Sequence, residues 1–199
     1  MRRIVLASLA VSFVLASTLP AQGLETISIS SSGLSEKTVH VKLGGSVTWS
    51  DQLDHDVTVL SRPLEYWTCD VATSAESSAT MTLAGIWRYT LADDPTVTGY
   101  VRVPPQVSAT TVPVGVKFTL IASTDLVRSG YQYDVLRKRV GVGSFQTVAG
   151  GIRTASVQVK MPVAGDYLWA IRTFGFNPEV GYDTYTPLSP RIAVTATAA

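Results

Sequence analysis

Val39-His40-Val41-Lys42-Leu43-Gly44-Gly45-Ser46-Val47-Thr48-Trp49, a polar loop from Ser50 to Asp54, then His55-Asp56-Val57-Thr58-Val59 is the stretch that decides the fold. Apolar and polar side chains alternate at period two on both sides of a Gly-Gly turn, and the apolar positions are β-branched or aromatic. That is the signature of strands with one buried face, not of a helix. A second run repeats it: Gly85-Ile86-Trp87-Arg88-Tyr89, the segment Thr90 to Thr98, then Gly99-Tyr100-Val101-Arg102-Val103.

Thr26–Ser30 and Ala79–Leu83 complete the strand candidates of the first half. In the second half, Val116–Ile121, Tyr131–Arg137, Phe145–Val148, Ala155–Val159, Gly165–Arg172 and Arg191–Val194 read the same way. No window holds a 3.6 period over three turns, so the fold class is all-β. Pro104-Pro105 cannot continue a central strand and stiffens a linker. The expected organisation is a first domain over 24–103, a linker at 104–106 and a second domain over 107–195, each the size of one β-sandwich. Leu64 to Ser78 reads as a long loop, and 196–199 as a frayed tail.

The N-terminus reads as a leader. Arg2 and Arg3 precede an apolar run, Ile4 to Ala16, that falls short of the roughly 18–20 residues needed to span a bilayer. Pro20 and Ala21-Gln22-Gly23 follow as a helix break and cleavage site. Met1–Gly23 is therefore expected to be a secretory signal peptide, placing the protein in the extracellular or periplasmic space. No later apolar stretch is long enough to span a membrane.

Composition removes several functions. The 199 residues are 46% hydrophobic and 16% charged, with a formal charge of +1, which excludes intrinsic disorder. Loss of Arg2 and Arg3 with the leader turns that into −1, too little basic excess for a nucleic-acid partner. One cysteine excludes an internal disulfide framework, and two histidines leave little for a His-built metal centre.

The first domain resembles the cupredoxins, the plastocyanin-like sandwiches that hold blue copper. The entry pattern is Val39 to Val59 as quoted; the exit pattern is Gly85 to Val103. Blue copper takes two imidazoles, one thiolate and a weak axial thioether. The resemblance implies that the first imidazole comes from His55 and the other three ligands from the exit loop. That loop reads Leu91-Ala92-Asp93-Asp94-Pro95-Thr96-Val97. Its proline and length are kept, but Leu91 stands in the cysteine position, Asp94 in that of the second histidine and Val97 in that of the methionine. The resemblance implies the fold with a degenerate copper site, and no copper or other cofactor is expected.

The second domain resembles immunoglobulin-like and fibronectin type III-like sandwiches. The residues that carry this are Tyr131–Arg137, Ser144–Val148, Ala164–Arg172 and Pro187–Val194, with Tyr167 in the place of a corner tyrosine. The resemblance implies a spacer or docking module.

Other residues carry more open readings. Cys69 is either a small buried hydrophobe, a relocated copper ligand, or the link in a disulfide dimer. Asp54, His55, Asp56, Asp93 and Asp94 are either turn formers or the ligands of a divalent cation such as Zn²⁺ or Ca²⁺. Without a metal, His55 is expected to pair with Asp94. His40 shares a strand face with Lys42 and is expected in solvent. Arg137-Lys138-Arg139 reads as a solvated hairpin end. Phe174, Phe176, Tyr182 and Tyr185 crowd one loop, either as a binding loop for protein or carbohydrate or as rings capping a hairpin. No nucleophile shows a supporting base, so the expectation is an exported, non-enzymatic binding or structural protein with a protein or carbohydrate partner. The rival readings are a metal-binding cupredoxin with an electron-transfer role, and a carbohydrate-active enzyme or its accessory module.

Overall fold

The computed structural model describes residues 25–198, so the leader expected at Met1–Gly23 lies outside the described residues. The chain is all-β, two sandwiches in tandem. The first is built from β1 (Glu25–Ser30), β2 (Gly33–Leu34), β3 (Thr38–His40), β4 (Ser46–Asp51), β5 (Val57–Arg62), β6 (Thr68–Val71), β7 (Glu76–Thr80), β8 (Gly85–Leu91) and β9 (Thr98–Val103). They form one sheet in the order β2-β1-β4-β7 and another in the order β3-β9-β8-β5-β6. Most neighbours are antiparallel, but β1 lies parallel to β4 and β3 parallel to β9.

The alternation sorts side chains as the period-two rule requires. Ile27, Ile29, Val47 and Trp49 point inward from one sheet, and Val57, Val59, Trp87, Tyr89, Leu91, Val101 and Val103 from the other, all almost fully buried. Trp49 meets the edge of Tyr89 at 5.7 Å between the sheets. Their partners in the alternation, such as Arg88 and Tyr100, stay at least partly in water.

The second sandwich comprises β10 (Gln106–Val107), β11 (Thr111–Pro113), β12 (Lys117–Ile121), β13 (Gln132–Arg139), β14 (Val142–Ile152), β15 (Ser156–Lys160), β16 (Gly165–Asn177), β17 (Tyr182–Tyr185) and β18 (Ile192–Thr197). One sheet runs β10-β12-β15; the other runs β11-β18-β16-β13-β14, with β17 added to the far end of β16. Phe118 and Leu120 face Tyr133, Val135, Trp169 and Ile171 across the core, and Phe118 meets Trp169 edge-on at 5.4 Å.

Three expectations are corrected. Leu64 to Ser78 is not one loop, because β6 and the start of β7 lie within it. β7 is Ser- and Thr-rich and becomes a strand through pairing with β4, where hydroxyls meet across the ladder (Thr48–Ser78, 2.8 Å). The tail is ordered to Thr197, since β18 pairs with both β11 and β16 and buries Ala196. Gln106, expected in the linker, opens β10.

The two sandwiches share a knitted junction. Leu83 bridges Ser123, Ala84 donates to the Ala122 carbonyl at 2.8 Å, and Thr124 donates to that of Thr82 at 2.9 Å. The Tyr131 hydroxyl donates to the Leu64 carbonyl at 2.6 Å, and its ring meets Tyr66 edge-on at 5.1 Å. Tyr66 in turn stacks on Trp87 at 5.1 Å. Glu179, at the tip of the β16–β17 hairpin, reaches back to Arg88 at 2.9 Å and Arg62 at 3.7 Å. None of these pairings is signalled locally in the sequence.

Candidate functional site

Antiparallel pairing of β5 with β8 builds the pole of the first sandwich. Val59 lies opposite Leu91, and the Ala92 amide donates to the Thr58 carbonyl at 2.8 Å. Stepping back from Val59 to His55 and forward from Leu91 to Asp93 moves in one direction, so the two loops meet. His55 Nε2 lies 2.9 Å from Asp93 Oδ2, and its Nδ1 lies 3.0 Å from Asp54 Oδ1. The imidazole is thus held from both ends.

The acidic residues divide among separate tasks. Asp93, not Asp94, holds His55. Asp94 instead accepts bonds from the Thr96 amide (3.0 Å) and hydroxyl (2.6 Å), a self-contained turn that leaves it facing its own loop. Asp56 accepts from the Thr73 amide and hydroxyl at 2.8 and 2.7 Å. Among the described residues, no three His, Cys, Asp or Glu side chains gather where they could hold a metal ion.

The positions matched to copper ligands fare differently from one another. Leu91 is buried in the core, and Val97 is half-buried against it. Cys69, on β6 opposite Val59, is also buried; its thiol donates to the Ser77 hydroxyl at 3.3 Å. Burial pushes that thiol upward in pKa, away from the thiolate that copper or disulfide exchange requires. A disulfide between two copies would need this part of the sandwich to open. His40 stands exposed on β3. The donor set at the pole therefore does not fit blue copper: one imidazole with both nitrogens engaged, an aliphatic side chain in the thiolate position, and the one thiol elsewhere.

Charge at the pole follows from these contacts. The bond from Asp54, then that from Asp93, raises the His55 pKa above the ordinary 6.5. The same bond lowers Asp54, and the Thr73 hydroxyl lowers Asp56, from the ordinary 3.8. A raised imidazole stabilises the folded state below 6.5 and loses that contribution as pH climbs through its raised value. The lowered carboxylates contribute above 3.8 and lose it as pH falls through their lowered values. The loops are therefore tied most firmly between about 4 and 6.5. In a proton NMR titration, His55 should show a midpoint above 6.5, and Asp93→Asn should bring it down. A midpoint at or below 6.5 in the unsubstituted protein would contradict the paired geometry.

The four aromatics singled out as a loop lie on a hairpin: Phe174 and Phe176 on β16, Tyr182 and Tyr185 on β17. Phe174 pairs with Tyr185 and Phe176 with Asp183, whereas Tyr182 pairs with the buried Asn177. Three rings therefore share one sheet face and Tyr182 takes the other. Phe174 and Tyr185 are 4.7 Å apart, and the Arg172 guanidinium sits 4.0 Å from the Tyr185 ring. Phe176, Tyr182 and Tyr185 are exposed. The basic run Arg137-Lys138-Arg139 belongs to β13 itself, where Arg137 lies 5.5 Å from the rings of both Tyr167 and Trp169. Among the described residues no helix is long and apolar enough to cross a membrane.

No protein-family model matches the chain. No curated protein sequence matches it significantly. Among solved structures, it is similar to a reduced Cu(I) form of an amicyanin mutant, at 24% identity over 42% of this chain and 84% of that one, with a TM-score of 0.36. An oxidised amicyanin mutant gives 25% identity over the same shares and the same TM-score. Amicyanin from Paracoccus versutus gives 18% identity over 43% of this chain and 85% of that one, again with a TM-score of 0.36.

Proposed function

We propose that the protein is an exported, non-enzymatic binding or structural module. In this reading the first sandwich is cupredoxin-like without a copper donor set, and the second is an immunoglobulin- or fibronectin type III-like display module. The observation that carries it is the state of the pole: His55 is bonded at both nitrogens to carboxylates, and Leu91 fills the core where a thiolate would stand. A soft metal centre needs a thiolate and a second imidazole, and neither reaches this point.

Two observations support the second half of the reading. A three-stranded sheet faces a larger sheet in the order β11-β18-β16-β13-β14. The Tyr167 hydroxyl donates to the Val163 carbonyl at 2.9 Å, the back-bond of a corner tyrosine. Export is supported by the basic, apolar and small-residue succession of Met1–Gly23. A non-enzymatic role is supported by the engagement of His55, which leaves it no nucleophile to activate.

Copper titration of the full chain tests the reading. Cu(II) should give no intense thiolate-to-copper band in the visible, and metal retained after dialysis should stay well below one ion per chain. A stoichiometric blue complex would overturn it. Loss of that colour in Cys69→Ser would then identify the thiolate.

A further inference from the structure

β14 and β15 are end strands of the two sheets of the second sandwich, and no ladder joins them. Between them opens a cavity of about 340 Å³. The register of β14 against β13 shifts between Thr147 and Ala149, a bulge of the kind that re-aims a side chain, and Val148 and Ala149 line the opening. Val159 and Trp169 add apolar wall. Small-molecule sites enclose roughly 300–1,000 Å³ and combine apolar walls with a few placed polar groups, so the size and the lining both suit a ligand.

The charged groups of this cavity are all cationic. Arg137 and Lys160 line it, and no carboxylate does. Arg137 donates one N–H to the Lys160 carbonyl at 2.8 Å and lies 5.5 Å from the Tyr167 and Trp169 rings. Its guanidinium is therefore fixed in place, with further N–H groups left to donate. Gln158, also in the lining, is held by a bond to the Thr119 hydroxyl at 2.6 Å. Lys160 stands directly opposite Lys117 in the β12–β15 ladder, a like-charge pair that costs stability. Among the described residues, Arg137, Lys160 and Lys117 form no ion pair. The cavity at the junction, of about 370 Å³, differs: its arginines, Arg62 and Arg88, both face Glu179, so their charge is answered within the chain.

We propose that the cavity between β14 and β15 binds a small organic anion, a carboxylate carried on a flat apolar body. The carboxylate sits between Arg137 and Lys160, and the body lies against Val148, Val159 and Trp169. The fixed guanidinium sets the direction of the carboxylate, and Lys160 adds attraction that also offsets its repulsion by Lys117. This adds a ligand class to the binding role proposed above. It concerns the other sandwich from the copper titration, so the two can fail separately.

The test uses the full chain and 2-naphthoate, followed by calorimetric titration, with the uncharged 2-naphthamide as its control. Naphthoate should bind one molecule per chain with submillimolar affinity that weakens about threefold between about 50 and 300 mM salt. The amide should bind at least about tenfold more weakly, because it lacks the charge. Lys160→Gln should cost about threefold and Arg137→Gln at least about tenfold. Arg137 also ties β13 to β15, so a third variant keeps the outcome clear if Arg137→Gln fails to fold. Val148 is 38% exposed, so Val148→Trp should fill the opening and abolish binding with a melting temperature near that of the parent. Cross-relaxation in NMR should connect the naphthoate ring to the Val148 and Val159 methyls. No saturable binding at millimolar naphthoate, equal binding of the amide, or full binding by a folded Val148→Trp variant would overturn the proposal.

Discussion

Trp87→Ala should lower the melting temperature by roughly 10 °C, and should do so in a single transition that includes both sandwiches. Trp87 is 1% exposed, donates its indole N–H to the Leu83 carbonyl at 3.0 Å, and stacks on Tyr66. Removing a fully buried tryptophan costs about 3–5 kcal/mol. The location matters as much as the size. Leu83 bridges Ser123 of the second sandwich, and Tyr66 packs against Tyr131. The cavity therefore opens under the junction, and the second sandwich loses support along with the first. Scanning calorimetry checks this. Two transitions of which only one moves, or a shift under about 2 °C, would show that the halves melt independently.

Gly99→Ala should destabilise the protein by about 3 kcal/mol, through overpacking and not through glycine's conformational freedom. Gly99 lies directly across from Tyr89, whose ring covers it. A Cβ there would fall on the Tyr89 ring and hydroxyl. Tyr89 is fully buried against Trp49 and Trp67 and has nowhere to retreat. Burial also pushes the Tyr89 phenol up to about 12, so ionisation provides no escape at moderate pH. Urea unfolding should show a lower midpoint with an unchanged slope. Tyr89→Leu combined with Gly99→Ala should recover part of the loss, since the two changes share one contact. An unchanged midpoint in the single variant would mean that the ring is not held where it is seen.

What was legible in the sequence was what side-chain period writes. Val57-Thr58-Val59 and Trp87-Arg88-Tyr89 alternate, and the structure buries the residues that alternation assigns to the inner face. Thr68-Cys69-Asp70-Val71 alternates too, but it lies inside the irregular stretch Leu64 to Ser78 that reads as one long loop. Glu76-Ser77-Ser78-Ala79-Thr80 has weak strand character of its own; its conformation comes from β4, a partner thirty residues away. At the pole, the resemblance implied that the His55 loop and the exit loop meet, and they do, but His55 bonds Asp93 where Asp94 was expected. Asp94 is followed by Pro95-Thr96, and local bonding to Thr96 outcompetes the distant imidazole. The junction was invisible for a different reason. Leu83 and Tyr131 read as strand residues, Tyr66 falls in the stretch read as a loop and Ser123 carries no signal, and only three-dimensional proximity makes them an interface.

Residues 25–106 hold five Lys and Arg against ten Asp and Glu, whereas 107–198 hold nine against five, and this unequal sharing gives a nearly neutral molecule an electric dipole from one half to the other. Near a charged wall or polymer such a body turns before it touches, presenting its C-terminal half to an anionic surface and its N-terminal half to a cationic one. Because the halves are pinned through Glu179 and Tyr131, that turning moves them together, most strongly at low ionic strength.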